Sequence, residues 1–311
     1  MPYPKIISPD FQMKRKSVKS TFFALGTEVE TIIVVASKKE QARARVDIRK
    51  IKNLFRKKQR VFCRFNPESE LSRLNKNLGV WQEASPDILY LAKRALFYHQ
   101  ESGGIYDPRV IDVLDNIGYK SAETKAKKTE LKSERFKKLP ADLRIEQNKI
   151  FFSRRMDFTG IAKGYIIDQA AEFLRKRSWK NFFINVNGDA YAAGRNKKGE
   201  KWKLPVEGAT DKETAVYISN EGVATSGVIK KQWKHKGKNV HHLINPKNTG
   251  KFSFEIRSVL VIHKKTEWAD GRAKVLVLMG KKKGLAFAKK KKLQAIFADR
   301  RGKIMFSNIQ G

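Results

Sequence analysis

The chain has 311 residues, enough for one large domain with a divided core or for two smaller ones. Its 67 Lys and Arg against 31 Asp and Glu give a net charge of +36, a field that gathers anions at the surface. A single cysteine, Cys63, excludes internal disulfides and cysteine-built metal sites, and no apolar stretch approaches the ~20 residues of a membrane-spanning helix.

Residues 1–20 read as a flexible basic arm, and residues 21–311 as one domain. The opening MPYPKIISPDFQMKRKSVKS has basic residues but no apolar run, so it reads neither as a signal peptide nor as a lipoprotein leader. The chain as written is expected in the cytoplasm, and outside it or at a membrane if a leader precedes it. TFFALGTEVETIIVVA (21–36) is β-branched throughout and predicts two strands or one bent strand. Helical period follows to residue 62, with Val46, Ile51 and Leu54 facing the core. In the loop CRFNPESELSRLNKN, Ser69 suits the cap of a short helix holding Leu71 and Leu74. In SPDILYLAKRALFYHQES, Ser85 is the expected N-cap and Pro86 suits the first helical position.

GGIYDPRV breaks the pattern with two glycines and a proline, and the Lys-rich residues 120–142 read as a surface excursion. Strands are expected around Leu143–Ile145 and Ile150–Ser153, then a helix within MDFTGIAKGYIIDQAAEFLRKR (Met156 to Arg177). FFINVNGDAYAAG reads as strand–turn–strand, and KWKLPVEG, AVYISNEGVATSG and NVHHLINP as short strands. SVLVIH (258–263) is a buried strand and WADGRAKVLVLMG (268–280) a helix stopped by Gly280. LAFAKKKK adds a short helix, and LQAIFAD and KIMFSN close the chain as strands. Strands and helices mix without a strict βαβ rhythm, which predicts an α+β fold with a largely antiparallel sheet.

Five clusters carry candidate chemistry. At the start of the helix near residue 160, Asp157, Gly160, Lys163 and Gly164 combine a dipole end, unpaired N–H groups, close backbone access and a cation, as a phosphate-bearing ligand requires. A capped helix with a snorkelling lysine would look the same. Gly26 to Val29 read as a turn or bulge, and Phe65 sits beside a capped turn where it can stack on an aromatic ligand. Tyr106 and Asp107 follow paired glycines and suit either a flat ligand or a plain turn. His241 and His242 would point to opposite faces of a strand, so only one can serve a given cleft. HExxH, GxSxG, P-loop and GxGxxG signatures are absent. A nucleic-acid interface would need stacking aromatics on a basic face; the aromatics here lie in apolar segments, so no specific nucleic acid is expected.

In order along the chain, ALGTEV, RFNPESELSRLN, SGGIYDP, MDFTGIAKGYIIDQAAEFL, FFINVNGDAYAAG, VATSG, HHLINPKNTG, SVLVI and ADGRAKVLVLMG resemble the FAD:protein FMN transferase family, the ApbE-like flavin transferases. The resemblance runs from about Phe22 to about Phe306. It implies a two-lobed fold with a flavin groove between the lobes. It implies transfer of FMN from FAD to a Ser or Thr hydroxyl of an acceptor protein, with AMP leaving and Mg²⁺ on the diphosphate. By motif position, Leu25, Gly26, Thr27, Phe65, Ile105, Tyr106, Asp107 and Ile244 would line the flavin and adenine pocket. Asp157, Lys163 and Lys274 would contact the nucleotide, Gly160 and Asp270 would hold the metal, and His242 would act as base, with Asp157 also catalytic.

Two departures bear on that expectation. The family's A-D-x-x-[AD]-T block reads Ala269 to Lys274 here, so an ammonium stands where a threonine oxygen completes the metal shell. A protonated lysine has no lone pair for a hard cation. The D-P-R-T-G turn has become Asn245 to Gly250, losing a carboxylate and gaining a residue. Three outcomes stay open: Lys274 neutralises the diphosphate itself, magnesium binds through Asp270, Gly160 and water, or the chain binds FAD with little or no transfer, perhaps hydrolysing it. The net charge also admits weak association with an anionic membrane surface. No acceptor motif is recognisable in the chain, so self-modification is not expected.

Overall fold

The computed structural model describes residues 15–119 and 138–308. Strands β1 (Lys16–Ala24) and β2 (Thr27–Val35) form an antiparallel hairpin in continuous register from Lys16↔Val35 to Ala24↔Thr27. The expected basic arm is therefore strand from Lys16 onward, because its period-2 side chains find a partner strand; residues 1–14 lie outside the described residues. Helix α1 (Lys38–Phe62) starts where Ser37 Oγ accepts the Glu40 N–H (3.1 Å). Its buried stripe is Ala44, Ile48, Ile51 and Phe55, at i, i+4, i+7 and i+11. Val46 falls off that stripe and is 38 % exposed, which corrects the expectation that it faces the core; Leu54 is half-buried.

Helix α2 (Glu70–Lys76) is capped by Ser69, and α3 (Pro86–Glu101) by Ser85 with Pro86 in its first turn, both as the sequence predicts. Strand β3 (Trp81–Glu83) lies between them, and α4 (Ile111–Asn116) follows the Gly103–Val110 break. The excursion expected over 120–142 lies outside the described residues as far as 137. Strands β4 (Leu143–Glu146) and β5 (Lys149–Phe152) join β3 in a small sheet of order β3-β5-β4. Helix α5 (Thr159–Lys176) leads to β6 (Phe182–Val186) and β7 (Asp189–Ala193), joined by Asn187-Gly188 with both φ values positive (51° and 96°). That is the two-residue turn whose twist matches a hairpin.

Strands β8 (Trp202–Pro205) and β9 (Ala215–Ile218) pair with each other, β10 (Glu221–Gly227) rejoins the main sheet, and β11 (Gln232–His235) and β12 (Lys238–His241) make an outlying hairpin. Strand β13 (Ile256–His263), helix α6 (Thr266–Lys290) and strands β14 (Gln294–Asp299) and β15 (Ile304–Ser307) close the fold. Gly280 (φ 74°) breaks α6 as expected, but the chain resumes its helix at once, so the two predicted helices are halves of one kinked element.

Eight strands form one sheet in the order β1-β2-β6-β7-β10-β13-β14-β15, every neighbour antiparallel. This is the α+β class and the largely antiparallel arrangement read from the sequence. Helices α1 and α5 cover one half of a face and α6 the other half. The β8–β9 hairpin covers the opposite face, with Trp202 stacked on Phe183 at 5.2 Å. The core is accordingly divided: a larger part around Ile51, Leu91, Ile166 and Ile184, and a second around Val259, Leu276 and Phe297.

The two parts meet where α5 crosses the start of α6. A Cβ on Gly164 would stand 2.7 Å from the Thr266 carbonyl oxygen and the Glu267 Cα, so only glycine permits this approach. Asp168 of α5 then caps α6 from outside its own chain segment: its carboxylate accepts the Thr266 N–H (2.8 Å) and the Glu267 N–H (3.0 Å). First-turn N–H groups of α6 are thereby satisfied at the buried Thr266 and Glu267. The crossing sets Asp270 and Lys274, one and two turns into α6, against the first turn of α5.

Candidate active site

A cavity of about 640 Å³ opens at this junction, within the size range of small-molecule sites. Leu25, Gly26, Phe65, Tyr106, Asp107, Asp157, Gly160, Lys163, His242, Ile244, Asp270 and Lys274 all line it. Thr27 and Ile105 do not: Thr27 is committed to pairing with Ala24 in the hairpin, and beside Ile105 it is Tyr106 and Asp107 that turn inward.

Each wall has a physical origin. The β1–β2 turn holds Leu25 at φ 56° and Gly26 at φ 72°. A left-handed backbone costs a bulky residue about 1–2 kcal/mol. Here the Leu25 N–H donating to Gln59 Oε1 (2.9 Å) holds the turn over the cavity. Tyr106 is buried and its hydroxyl has no partner among the described residues, so an acceptor on a ligand would satisfy it. Burial raises its pKa well above the ordinary value, and the nearby Asp157 and Asp270 add to the effect. Asp107 faces the cavity but is tied down by Arg109, which donates to both its oxygens (2.9 and 2.6 Å) and is itself buried.

Asp157 begins α5: its Oδ1 accepts the Thr159 N–H (2.8 Å) and its Oδ2 faces the Arg64 guanidinium (3.3 Å). One oxygen is hydrogen-bonded and the other ion-paired, so this carboxylate orients the helix start. Arg64 lies over the Phe65 ring (4.3 Å) and donates to Asp115 (2.9 Å). Lys163, one turn into α5, is ion-paired with Asp189 of β7, a carboxylate with no solvent exposure. Desolvation pushes the Lys163 pKa down towards about 8; Asp270 opposes this, and Lys274, Lys231 and Lys230 reinforce it. The Asp189 carboxylate bonded to the ammonium is a further, direct opposition, and on that geometry Lys163 stays charged near neutral pH.

His241 and His242 diverge: His241 is the last residue of β12, and the chain bends at His242. His241 packs between Phe252 and Phe254 and its Nε2 meets the Ser253 carbonyl (3.1 Å). His242 turns to the cavity and stacks on Tyr119 (5.9 Å), which stacks on Trp233 (5.6 Å). Its Nδ1 is buried without a partner among the described residues. Burial holds its pKa well below the ordinary value, and the positive charges of Lys231 and Lys274 push the same way. The imidazole is therefore neutral at physiological pH, the form that can accept a proton.

The expected metal position holds something else. Asp270 Oδ2 accepts the Gly164 N–H (3.1 Å), and Lys274 Nζ lies 3.9 Å from Asp270 Oδ1. A Cβ on Gly160 would meet Lys274 Cε at 2.9 Å and Nζ at 3.6 Å, so the lysine side chain lies directly on the glycine backbone. Among the described residues no group of three or more His, Cys, Asp or Glu could hold a metal ion. One carboxylate beside an ammonium does not fit Mg²⁺, which needs oxygen ligands and is repelled by a neighbouring cation.

Sequence reasoning missed several lining or supporting residues. Tyr119, Lys230 and Lys231 sit in stretches with no motif, and nothing local marks them. Asp189 had a weaker signal: it opens the otherwise apolar run DAYAA, and an acid carried inside by a buried strand needs a partner.

A sequence model of the ApbE family matches residues 25–297. The chain belongs to the ApbE family. Its curated relatives include the FAD:protein FMN transferase of Haemophilus influenzae, 28 % identical over 246 residues, 74 % of this chain and 71 % of that one. The FAD:protein FMN transferase of Vibrio cholerae is 27 % identical over 72 % of this chain and 70 % of its own. Among solved structures, the apo form of the Pseudomonas stutzeri flavinyl transferase ApbE superposes with a TM-score of 0.81 at 20 % identity, covering 94 % of this chain and 95 % of that one. The ApbE protein of Thermotoga maritima gives 0.82 at 22 % identity, covering 94 % and 97 %. These likenesses establish an ApbE fold for the α+β architecture described above.

Proposed function

We propose that this ApbE-family protein transfers the FMN half of FAD to a Ser or Thr hydroxyl of an acceptor protein and releases AMP. The observation that carries the reading is a neutral, buried imidazole, His242, facing the same cavity as Lys163 and Lys274. The names of the Haemophilus influenzae and Vibrio cholerae relatives support it.

The chemistry follows from the walls. Leu25, Phe65, Tyr106 and Tyr119 offer apolar and aromatic surface to flat rings. The α5 N-terminus, Lys163 and Lys274 offer positive charge to a diphosphate. The acceptor oxygen attacks the FMN phosphorus while His242 takes its proton. A new O–P bond forms, the bond from that phosphorus to the bridging oxygen breaks, and AMP leaves with the electron pair. General-base assistance of this kind is worth about 10²–10⁴-fold. Asp157 keeps the start of α5 in place, and Asp189 keeps Lys163 aimed at the cavity. The net charge of +36 further supports weak, salt-screened association with anionic membrane surfaces.

The test is incubation with FAD and a protein carrying a candidate Ser/Thr motif, read by intact mass. One added FMN less a water, with free AMP in equal amount, is the expected result. FMN and AMP released without modification of the acceptor would make the chain a hydrolase instead, and failure to bind FAD would remove the reading altogether.

A further inference from the structure

We infer that Lys274 is a built-in replacement for a divalent cation, so that this chain performs diphosphate chemistry without a metal. The inference rests on the reading that an FAD diphosphate lies in the cavity, and it concerns what neutralises that diphosphate.

Three observations meet at one point. The Lys274 side chain lies on Gly160, with its Cε 2.9 Å from where a Cβ would stand, so the glycine is the seat of the lysine. The ammonium is held 3.9 Å from Asp270 Oδ1, one turn back on the same helix, and Asp270 is itself anchored by the Gly164 N–H. Lys274 also lines the cavity, beside Gly160 in the first turn of α5. A cation is therefore fixed beside a helix N-terminus by a carboxylate and a glycine cradle, and this is where a diphosphate would need one.

The alternative is a metal at the same point, and the local chemistry opposes it. A dication coordinated by Asp270 would share its immediate surroundings with a lysine ammonium and with Lys163. The two like charges repel, and the lysine contributes no lone pair. A diphosphate gains its counter-charge from Lys274 and Lys163 together, with hydrogen bonds directed by the ammonium hydrogens. Phosphoryl transfer asks the protein chiefly for positioning and charge stabilisation, and fixed lysines can supply both.

The experiment measures metal dependence and metal binding separately. Wild-type protein is assayed for FMN transfer in EDTA and in excess Mg²⁺, with FAD binding followed by flavin fluorescence in both. Mn²⁺ binding to the FAD-loaded protein is titrated by electron paramagnetic resonance. Lys274→Thr and Gly160→Ala are carried through the same measurements. Expected for the wild type are equal rates with and without EDTA and no stoichiometric Mn²⁺ binding. For Lys274→Thr, transfer in EDTA should fall about 10²- to 10³-fold, the cost of one preorganised charge partner. Mg²⁺ should then restore it, and Mn²⁺ should bind one to one. Gly160→Ala should also lose rate in EDTA, because the lysine loses its seat. Wild-type transfer abolished by EDTA and rescued by Mg²⁺, or one Mn²⁺ bound per wild-type chain, would overturn the inference while leaving the transferase reading intact. No FAD binding under any condition would overturn the transferase reading and this one with it.

Discussion

Replacing Gly164 by alanine tests whether the α5–α6 crossing builds the cavity. The new Cβ would stand 2.7 Å from the Thr266 carbonyl oxygen and the Glu267 Cα, and 2.8 Å from the Glu267 nitrogen. All three are backbone atoms, so no change of rotamer relieves the clash. Ordinary contact begins at 3.4 Å; α6 must therefore retreat by about 0.7 Å, in an interior packed too densely to absorb the shift elsewhere. Overpacking of this kind costs about 1–3 kcal/mol, and three simultaneous backbone contacts argue for the upper end. At roughly 2–4 °C per kcal/mol for a large domain, the thermal midpoint should fall by about 6–12 °C. The same retreat stretches the Gly164 N–H to Asp270 hydrogen bond, already 3.1 Å, so FAD affinity should fall too. Gly160→Ala is the internal control. Its Cβ meets only the flexible end of Lys274, so its midpoint should stay within about 1 °C of wild type while the site is disturbed. Calorimetry and flavin titration decide the matter. Gly164→Ala protein that melts and binds FAD like wild type, or Gly160→Ala protein that is equally destabilised, would refute the geometry.

Four further outcomes follow from the same structure. His242→Gln should retain FAD binding and lose transfer by about 10²–10⁴-fold, measured by single-turnover mass analysis. Burial, Lys231 and Lys274 all disfavour the imidazolium, so His242 keeps its proton-accepting form down to and below the ordinary 6.5; kcat/KM should stay flat as pH falls towards 6.5 and decline only beneath it. Lys231→Gln removes one of those cations, raises the imidazole pKa and should move that acid limb to higher pH, which a pH–rate profile reads directly. Arg109→Met strands the buried Asp107 carboxylate and should cost about 3–5 kcal/mol in urea unfolding, because removing one partner leaves an uncompensated charge.

The parts of this molecule legible in the sequence are those whose cause is local. Ser85-Pro86 announces the start of α3, Asn187-Gly188 announces a hairpin turn, and Gly280 announces a break in α6, because each conformation is dictated by neighbours within a few residues. The phase of α1 is not legible at Val46, since a helix of alternating charges and aliphatics admits more than one stripe until a sheet selects one. The same division runs through the cavity. Asp270 and Lys274 are four residues apart on one helix, so their proximity is written in the spacing. The partners that give the pair its meaning are not: Gly164, which anchors Asp270, is 106 residues away, Asp168, which caps α6, is 98 residues from Thr266, and Asp189 reaches Lys163 across 26. An excess of 36 positive charges cannot say which lysine serves a ligand, because solvated lysines and seated ones look alike in composition. What distinguishes Lys274 is confinement: a glycine beneath it, a carboxylate beside it and a cavity in front of it restrict one ammonium. A charge so fixed has already lost the side-chain entropy that a surface lysine would surrender on meeting a phosphate, and that preorganisation is what equips it to act as an ion does.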